Sequence, residues 1–288
     1  LNYKDGLALT GKSPVVRKFP LTPGIDFSGT VTNSDHTGFE AGDKVVLNGF
    51  GVGEVHSGGY AQMARVSGDW LVKLPSKIDA RQAMAIGTAG YTAMLCVMAL
   101  EQHGVKPADG NILVTGASGG VGSVAVAILS KLGYSVVATT GRMAEKDYLM
   151  SLGASEVIER QGFSEKARAL YKELWAGAID VAGGNTLANV LSQMKYGSAV
   201  AACGLAESMN LPTSVAPFIL RGITLYGVDS VMASIEKRQQ AWSRLERDLD
   251  MDLLERLSFD LDFNDLPQAA IDILDGKIRG RAIVKIPA

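Results

Sequence analysis

ILVTGASGGVGSVAVAILSKLGYSVVATTGR, residues 112–142, is the stretch on which the fold turns. An apolar run ends at Thr115, a glycine-rich turn spans Gly116 to Gly122, and an Ala/Val/Leu-rich segment of helical character follows at once. A second apolar run then closes at Thr140. Glycines let a backbone approach a pyrophosphate without Cβ interference, and a helix N-terminus offers unpaired N–H groups and a favourable dipole. The spacing is not a strict G-x-G-x-x-G, because Ala117 falls on the first glycine once Gly119 and Gly122 are set on the last two. A glycine-rich turn alone is a weak signal, since many such turns are merely tight. The strand before it, the helix after it and the second strand supply the context that a dinucleotide site requires.

The end of the second strand selects the dinucleotide. NAD sites place Asp or Glu there to take the ribose hydroxyls. Here the chain reads Thr139-Thr140-Gly141-Arg142, with no acid before Glu145. A carboxylate would repel a 2′-phosphate, whereas a hydroxyl, a bare backbone and a guanidinium would bind it. The expected cofactor is NADPH, with Thr140, Gly141 and Arg142 at the 2′-phosphate. The plainer alternative for Arg142 is a solvated residue at a helix start.

Working outward, strand and helix alternate with short connections from NILVTG (111–116) to ITLYGVD (223–229), the pattern of a parallel sheet covered on both faces. A helix is expected over SEKARALYKELW (164–175). A long, mostly apolar helix precedes this region, over ARQAMAIGTAGYTAMLCVMALEQHG (80–104). Before it, PGIDFSGTV, DKVVLNGF, GGYAQMARV and DWLVKLP read as short strands broken by Gly, Pro and Asp. After the alternating zone come an amphipathic helix (IEKRQQAWSRLERDLD), a second helix (FNDLPQAAIDILDG) and a closing strand, GRAIVKIP, whose natural host is the β-rich first zone. The expected architecture is α/β: a Rossmann-type, doubly wound domain over 81–232 inserted into a β-rich domain made of 1–80 and 233–288.

Composition narrows the function. Across 288 residues, Lys plus Arg number 28 against 30 for Asp plus Glu, so no charge excess points to nucleic acid or an anionic membrane. No stretch reads as the roughly 20 apolar residues of a membrane span, and no charged-then-apolar leader is expected. The two cysteines, Cys96 and Cys203, lack metal-type spacing, and a reducing cytoplasm is the expected setting. The three histidines, His36, His56 and His103, stand in turns or at a helix end, without a cysteine at ligand spacing. Gly116-Ala117-Ser118-Gly119 only approximates a nucleophile elbow, so Ser118 is read as a phosphate contact.

The stretches LNYKDGLALTGK, FPLTPGIDFSGTV, IGTAGYTAMLCVMALE, VTGASGGVGSVAV, ACGLA, PFILRGITLYGVDSVM and GRAIVKI span the chain. They resemble the zinc-free, quinone oxidoreductase branch of the medium-chain dehydrogenase/reductase superfamily, and within it the bacterial NADPH-dependent acryloyl-CoA reductases. The resemblance makes the β-rich domain GroES-like. In that family the NYKD stretch follows the first strands of this domain, so the N-terminal strands are expected to be missing here. Where zinc-dependent relatives carry a Cys and then a His-Glu pair, this chain has Asn2-Tyr3-Lys4-Asp5, read as an active-site loop, and Ile25-Asp26.

The activity that the resemblance implies is hydride transfer from NADPH to the β-carbon of an α,β-unsaturated thioester and protonation at the α-carbon, without a metal. Alternatives are an NADPH quinone oxidoreductase and a non-catalytic NADPH-binding protein. By family position Asn2, Tyr3, Asp5 and Asp26 line the catalytic cleft, with Tyr3 on the cofactor or as proton source. Asp26 is equally suited to a turn or network. The resemblance sets Ser118, Gly119, Gly120 and Val121 at the pyrophosphate; Thr88, Leu205 and Ser230 join the cofactor set, as do Arg160 at the adenine ribose (or simply in solvent) and Arg281 at the phosphates. Tyr91 divides between the nicotinamide half and core packing, and Cys203 reads as a small spacer. Pairing of two copies near RGITLYGVDSV gives an expected homodimer.

Overall fold

The computed structural model describes residues 1–287. In chain order its elements are α1 (Tyr3–Thr10), β1 (Asp26–Thr30), β2 (Lys44–Asn48), β3 (Val72–Lys73), α2 (Ala80–His103), β4 (Ile112–Val114) and α3 (Gly120–Lys131). There follow β5 (Val136–Thr140), α4 (Lys146–Ser151), β6 (Glu156–Glu159), β7 (Trp175–Asp180), α5 (Gly184–Ser192), β8 (Met194–Ala202), α6 (Ala216–Arg221) and β9 (Thr224–Gly227). The last are α7 (Ile235–Asp248), α8 (Met251–Arg256), β10 (Ser258–Asp262), α9 (Leu266–Leu274) and β11 (Arg281–Lys285).

Two compact units result. One holds Leu1–Tyr91, Ser230–Arg247 and the chain from Met251; the other holds Thr92–Asp229 and Asp248–Asp250. The expected junction at 80/81 falls at the start of α2, whereas the units part inside that helix. Its first turns belong to the first unit because β1 holds them there: the Ser28 hydroxyl donates to the Ala80 carbonyl over 2.9 Å.

The second unit is a six-stranded sheet in the order β6-β5-β4-β7-β8-β9, every pair parallel. This is the doubly wound order that reverses between β4 and β7. Ile112, Leu113 and Val114 are wholly buried, as a central strand covered on both faces requires. Leu113, Val137, Ala178 and Val200 of the sheet meet Leu187, Val190 and Leu191 of α5 in its core. The helix expected over 164–175 does not form. Its backbone is captured by neighbours: the Tyr171 amide donates to Ser192 O and the Leu174 amide to Gln193 O, each over 2.8 Å, and the Arg221 guanidinium takes the Tyr171 carbonyl.

The first unit carries an antiparallel sheet, β1-β2-β3, whose register sets Asp26 opposite Asn48. The closing strand β11 does not join that sheet. It pairs in parallel with β10, a strand of the same C-terminal stretch, Ser258 lying opposite Arg281. GGYAQMARV is not a strand either. Its Gly58, Gly59 and Tyr60 amides donate to Thr22 O, Gly24 O and Pro23 O at 2.7, 3.0 and 3.1 Å, so it clasps the loop before β1 instead of a ladder. The NYKD loop is the first turn of α1.

One expectation about hydropathy also changes. α2 has 24 residues and a mean hydropathy of 1.7 over its most apolar window, long and apolar enough to cross a membrane by composition. Yet 78% of that window is buried inside the protein, which makes it a core helix.

Candidate active site

In the first unit the polar residues expected near the chemistry converge. Asn2 caps α1, and Asp5, three residues on, reaches back so that its Oδ2 accepts the Asn2 backbone amide over 2.8 Å. The Asn2 Nδ2 donates to two carboxylates at once, to Asp5 Oδ2 over 3.1 Å and to Asp26 Oδ2 over 3.0 Å. Asp5 Oδ1 accepts the Ile25 amide over 2.9 Å, fixing the residue before Asp26. Asp26 Oδ2 also accepts the Thr88 amide over 2.6 Å.

Burial is deep. Asn2 is 6% and Asp5 1% exposed, whereas Tyr3, on the outer side of the same turn, is 43% exposed. Burial first, and the Asp26 charge second, raise the Asp5 carboxyl above its usual range. The same causes, burial then Asp5 and Asp26, push the Tyr60 phenol well up. The Asn2 Oδ1 is buried without a hydrogen-bond partner. An acceptor left so carries a desolvation cost that a bound donor would relieve.

Arg281 differs from expectation. Its guanidinium is turned into the first unit, donating to Ala85 O over 2.9 Å and to Leu1 O over 3.2 Å, and it is 2% exposed. It therefore braces the Asp5–Asp26 network and presents no open guanidinium to a phosphate. Ser230 offers its carbonyl to the Arg238 guanidinium over 3.2 Å. Tyr91 is wholly buried beside Arg238, whose Cζ stands 5.3 Å from its ring centre, in keeping with a packing role.

The second unit holds the phosphate turn. A Cβ on Gly122 would stand 2.6 Å from Ala117 Cα and collide with Gly116 O, so the turn accepts only glycine there. Gly119 precedes α3 with no side chain capping it, and the first-turn amides have no helical carbonyl to bond. At the end of β5, the Arg142 amide donates to Thr140 Oγ1 over 3.1 Å and its Nη2 to Ser118 Oγ over 3.3 Å. Arg160 lies against Gly141, where an added Cβ would sit 3.3 Å from its Nη2. Ser118, Thr140, Gly141, Arg142 and Arg160 thus gather at one corner of the sheet. Thr140, 1% exposed, shapes the turn that presents its neighbours and does not itself lie open. Leu205, after β8, is 59% exposed and joins none of these contacts.

Sequence reasoning passed over Asn48, Tyr60 and Asp180. Asn48 is 2% exposed and donates to Thr88 Oγ1 over 3.3 Å. Asn48 and Asp180 each end an apolar strand with a polar residue, a signal that the strand patterns already contained. Among the described residues no group of three His, Cys, Asp or Glu side chains is placed to hold a metal. The donors in the first unit do not fit a zinc ion, because Asp5 is committed to two backbone amides and Asp26 to Thr88.

Residues 1–76 match the family model described as "Alcohol dehydrogenase GroES-like domain", and residues 120–247 match "Zinc-binding dehydrogenase". The chain is 57% identical over 286 residues to the "Probable acrylyl-CoA reductase AcuI" of Escherichia coli (strain K12), an alignment covering 99% of this chain and 88% of that protein. It is 55% identical over 289 residues to the "Acrylyl-CoA reductase AcuI" of Ruegeria pomeroyi, covering 100% and 88%. The crystal structure of E. coli K-12 YhdH with bound NADPH superposes with a TM-score of 0.98 at 57% identity, covering 100% of this chain and 88% of that one.

Proposed function

This chain belongs to the medium-chain dehydrogenase/reductase superfamily, in the quinone oxidoreductase branch, and from that premise we propose that it reduces the carbon–carbon double bond of a small α,β-unsaturated acyl thioester with NADPH. The best single reaction is acryloyl-CoA to propionyl-CoA. The observation that carries the reading is near-complete alignment with acrylyl-CoA reductases at 55–57% identity. A phosphate turn with open amides, beside an arginine and no acid, supports the choice of cofactor.

The residues fit NADPH. The α3 first-turn amides and Ser118 would hold the pyrophosphate, while Arg142, backed by Gly141 and Arg160, would pair with the 2′-phosphate. When bound, NADPH supplies the hydride that adds to the β-carbon; a proton at the α-carbon completes the product. Tyr3, the exposed hydroxyl of the α1 turn, is the proton source within reach of solvent. The unpartnered Asn2 Oδ1 is an acceptor that a bound N–H donor would satisfy. Asp5 and Asp26 fix Asn2 and Thr88, and Arg281 offsets their charge, so these three position rather than react.

The reading extends to assembly. β9 is the outermost strand of its sheet, and Val215, Ile219 and Leu220 nearby are 67%, 73% and 62% exposed. Edge-to-edge pairing of two copies would cover both features. Cys96 and Cys203, neither of them in a disulfide, support a cytoplasmic setting.

The deciding experiment compares NADPH oxidation with acryloyl-CoA and with a naphthoquinone, NADH run in parallel. Turnover of the thioester, faster with NADPH than with NADH, is expected. Quinone turnover with negligible thioester turnover would overturn the substrate assignment, and NADPH binding without oxidation of either would remove the enzymatic one.

A further inference from the structure

Where the strand order of the sheet reverses, β4 and β7 lie side by side, and side chains join their carboxyl ends. Thr115 donates its hydroxyl to Asp180 Oδ1 over 2.7 Å and accepts the Val181 amide over 3.0 Å. The other oxygen of Asp180 accepts the Gly183 amide over 2.8 Å. Thr115 and Asp180 are both wholly buried. Thr115 is the last residue before the phosphate turn, so that turn and Val181–Gly183 cannot shift independently.

A second set of contacts ties in the turn after β8. The Glu207 amide donates to Ala182 O over 2.8 Å. The Glu207 carboxylate accepts the Asn185 amide over 3.0 Å and the Thr186 hydroxyl. Gly183 itself has φ 71°, a conformation that suits glycine. Three turns at the carboxyl edge are therefore held as one body, with Asp180 at its centre.

Doubly wound sheets bind a dinucleotide across this reversal point, one mononucleotide to each half of the sheet. The half made of β4, β5 and β6 carries the phosphate turn and Arg142. The half made of β7, β8 and β9 ends in the joined turns.

We propose that Asp180 is a positioning residue for the nicotinamide half of the bound dinucleotide, fixing the Val181–Gly183 turn against the phosphate turn while leaving the adenosine half untouched. The proposal rests on the NADPH reading above. Burying a carboxyl at this seam is costly, and it raises the group's pKa; two donors aimed at it turn that cost into a fixed geometry.

The test uses the full chain and four forms: wild type, Asp180→Asn, Thr115→Val and Thr115→Ser. Affinity for NADPH, affinity for 2′,5′-ADP as a probe of the adenosine half, fluorescence of bound NADPH, kcat and Tm are measured. Asp180→Asn turns an amide NH2 toward the Gly183 N–H, and Thr115→Val removes the hydroxyl at the other end of the same bond. Both are expected to lower kcat about tenfold or more, the scale of a lost buried hydrogen bond, and to weaken the nicotinamide fluorescence signal. Affinity for 2′,5′-ADP should stay within about twofold, as for an independent site, and Thr115→Ser should restore the wild-type values. Should Asp180→Asn not fold, the two Thr115 variants decide from the other end. Parallel loss of 2′,5′-ADP and NADPH binding, or no effect on either kcat or fluorescence, would overturn the proposal. A wild type that binds no NADPH would overturn the function and this inference together; normal wild-type binding with unaffected variants overturns the inference alone.

Discussion

The Thr88 amide donates to Asp26 Oδ2 over 2.6 Å, and it is free to do so because the residue before it breaks the helix. Gly87, inside α2, has φ 51° and ψ −162°. The break releases one amide from the helical ladder and aims it at a carboxylate. It also leaves a hollow that the Arg281 guanidinium fills, since a Cβ on Gly87 would strike that group and lie 3.1 Å from Asp26 Oδ2. A glycine in a core helix, ordinarily a weakness of about 1 kcal/mol, here organises the candidate site.

Gly87→Ala should therefore cost more than a helix substitution normally does. Strain at positive φ, with displacement of Arg281, is expected to remove about 1–3 kcal/mol of stability and to lower kcat as well. Thermal unfolding and steady-state kinetics check this. An alanine variant with wild-type Tm and kcat would show that the break is incidental.

Arg142→Gln should discriminate between cofactors. Losing one charge-assisted contact to a 2′-phosphate corresponds to about 1.5–3 kcal/mol, or roughly a 10- to 100-fold rise in KM for NADPH. The KM for NADH, which lacks that phosphate, should hardly move. Equal effects on both cofactors would place Arg142 elsewhere in binding.

The pH dependence of stability has a definite sign at Asp5. Its pKa is raised in the folded chain, first by burial and then by Asp26. On raising the pH the unfolded chain loses this proton first, so the site withdraws stability as pH climbs from the ordinary carboxylate value through the raised one. Asp260 and Asp275, lowered by hydrogen bonds from Lys285 and Lys277, act in the opposite sense, losing stability as pH falls. On the surface they count for little. The Tm of Asp5→Asn minus that of wild type should accordingly move in the variant's favour as the pH rises above about 4. A difference that stays constant with pH would contradict the assignment.

Ile219→Asp tests the assembly. A charge at this exposed position beside the edge strand should shift the protein from dimer toward monomer in light scattering, with Tm changed by little for a surface site. A dimer that persists unchanged would move the interface away from β9.

Much of this was legible in the chain. Residues 112–142 alone specify β4, the phosphate turn, α3 and β5, because alternation of buried strand, glycine turn and apolar helix has few other solutions. What escaped was set by tertiary capture. Residues 164–175 have helical composition, but Ser192, Gln193 and Arg221 bind their backbone and override it. GGYAQMARV has strand-like residues, yet Gly58 and Gly59 press against Pro23 and Gly24 and leave no ladder. The direction of Arg281 is not legible in the sequence, since the break at Gly87 that admits its guanidinium cannot be read from a helix-forming stretch. Asp180 was missed because one acid at the end of an apolar run looks like a strand terminus until Thr115 is seen beside it.

The most direct test of the central claim follows the hydrogen itself. NADPH carrying deuterium at the transferred position is incubated with acryloyl-CoA and the full chain, and the product is examined by mass spectrometry and NMR. The account predicts propionyl-CoA with one deuterium on the β-carbon and a solvent proton on the α-carbon. Absence of propionyl-CoA, or a label found anywhere but the β-carbon, would contradict it.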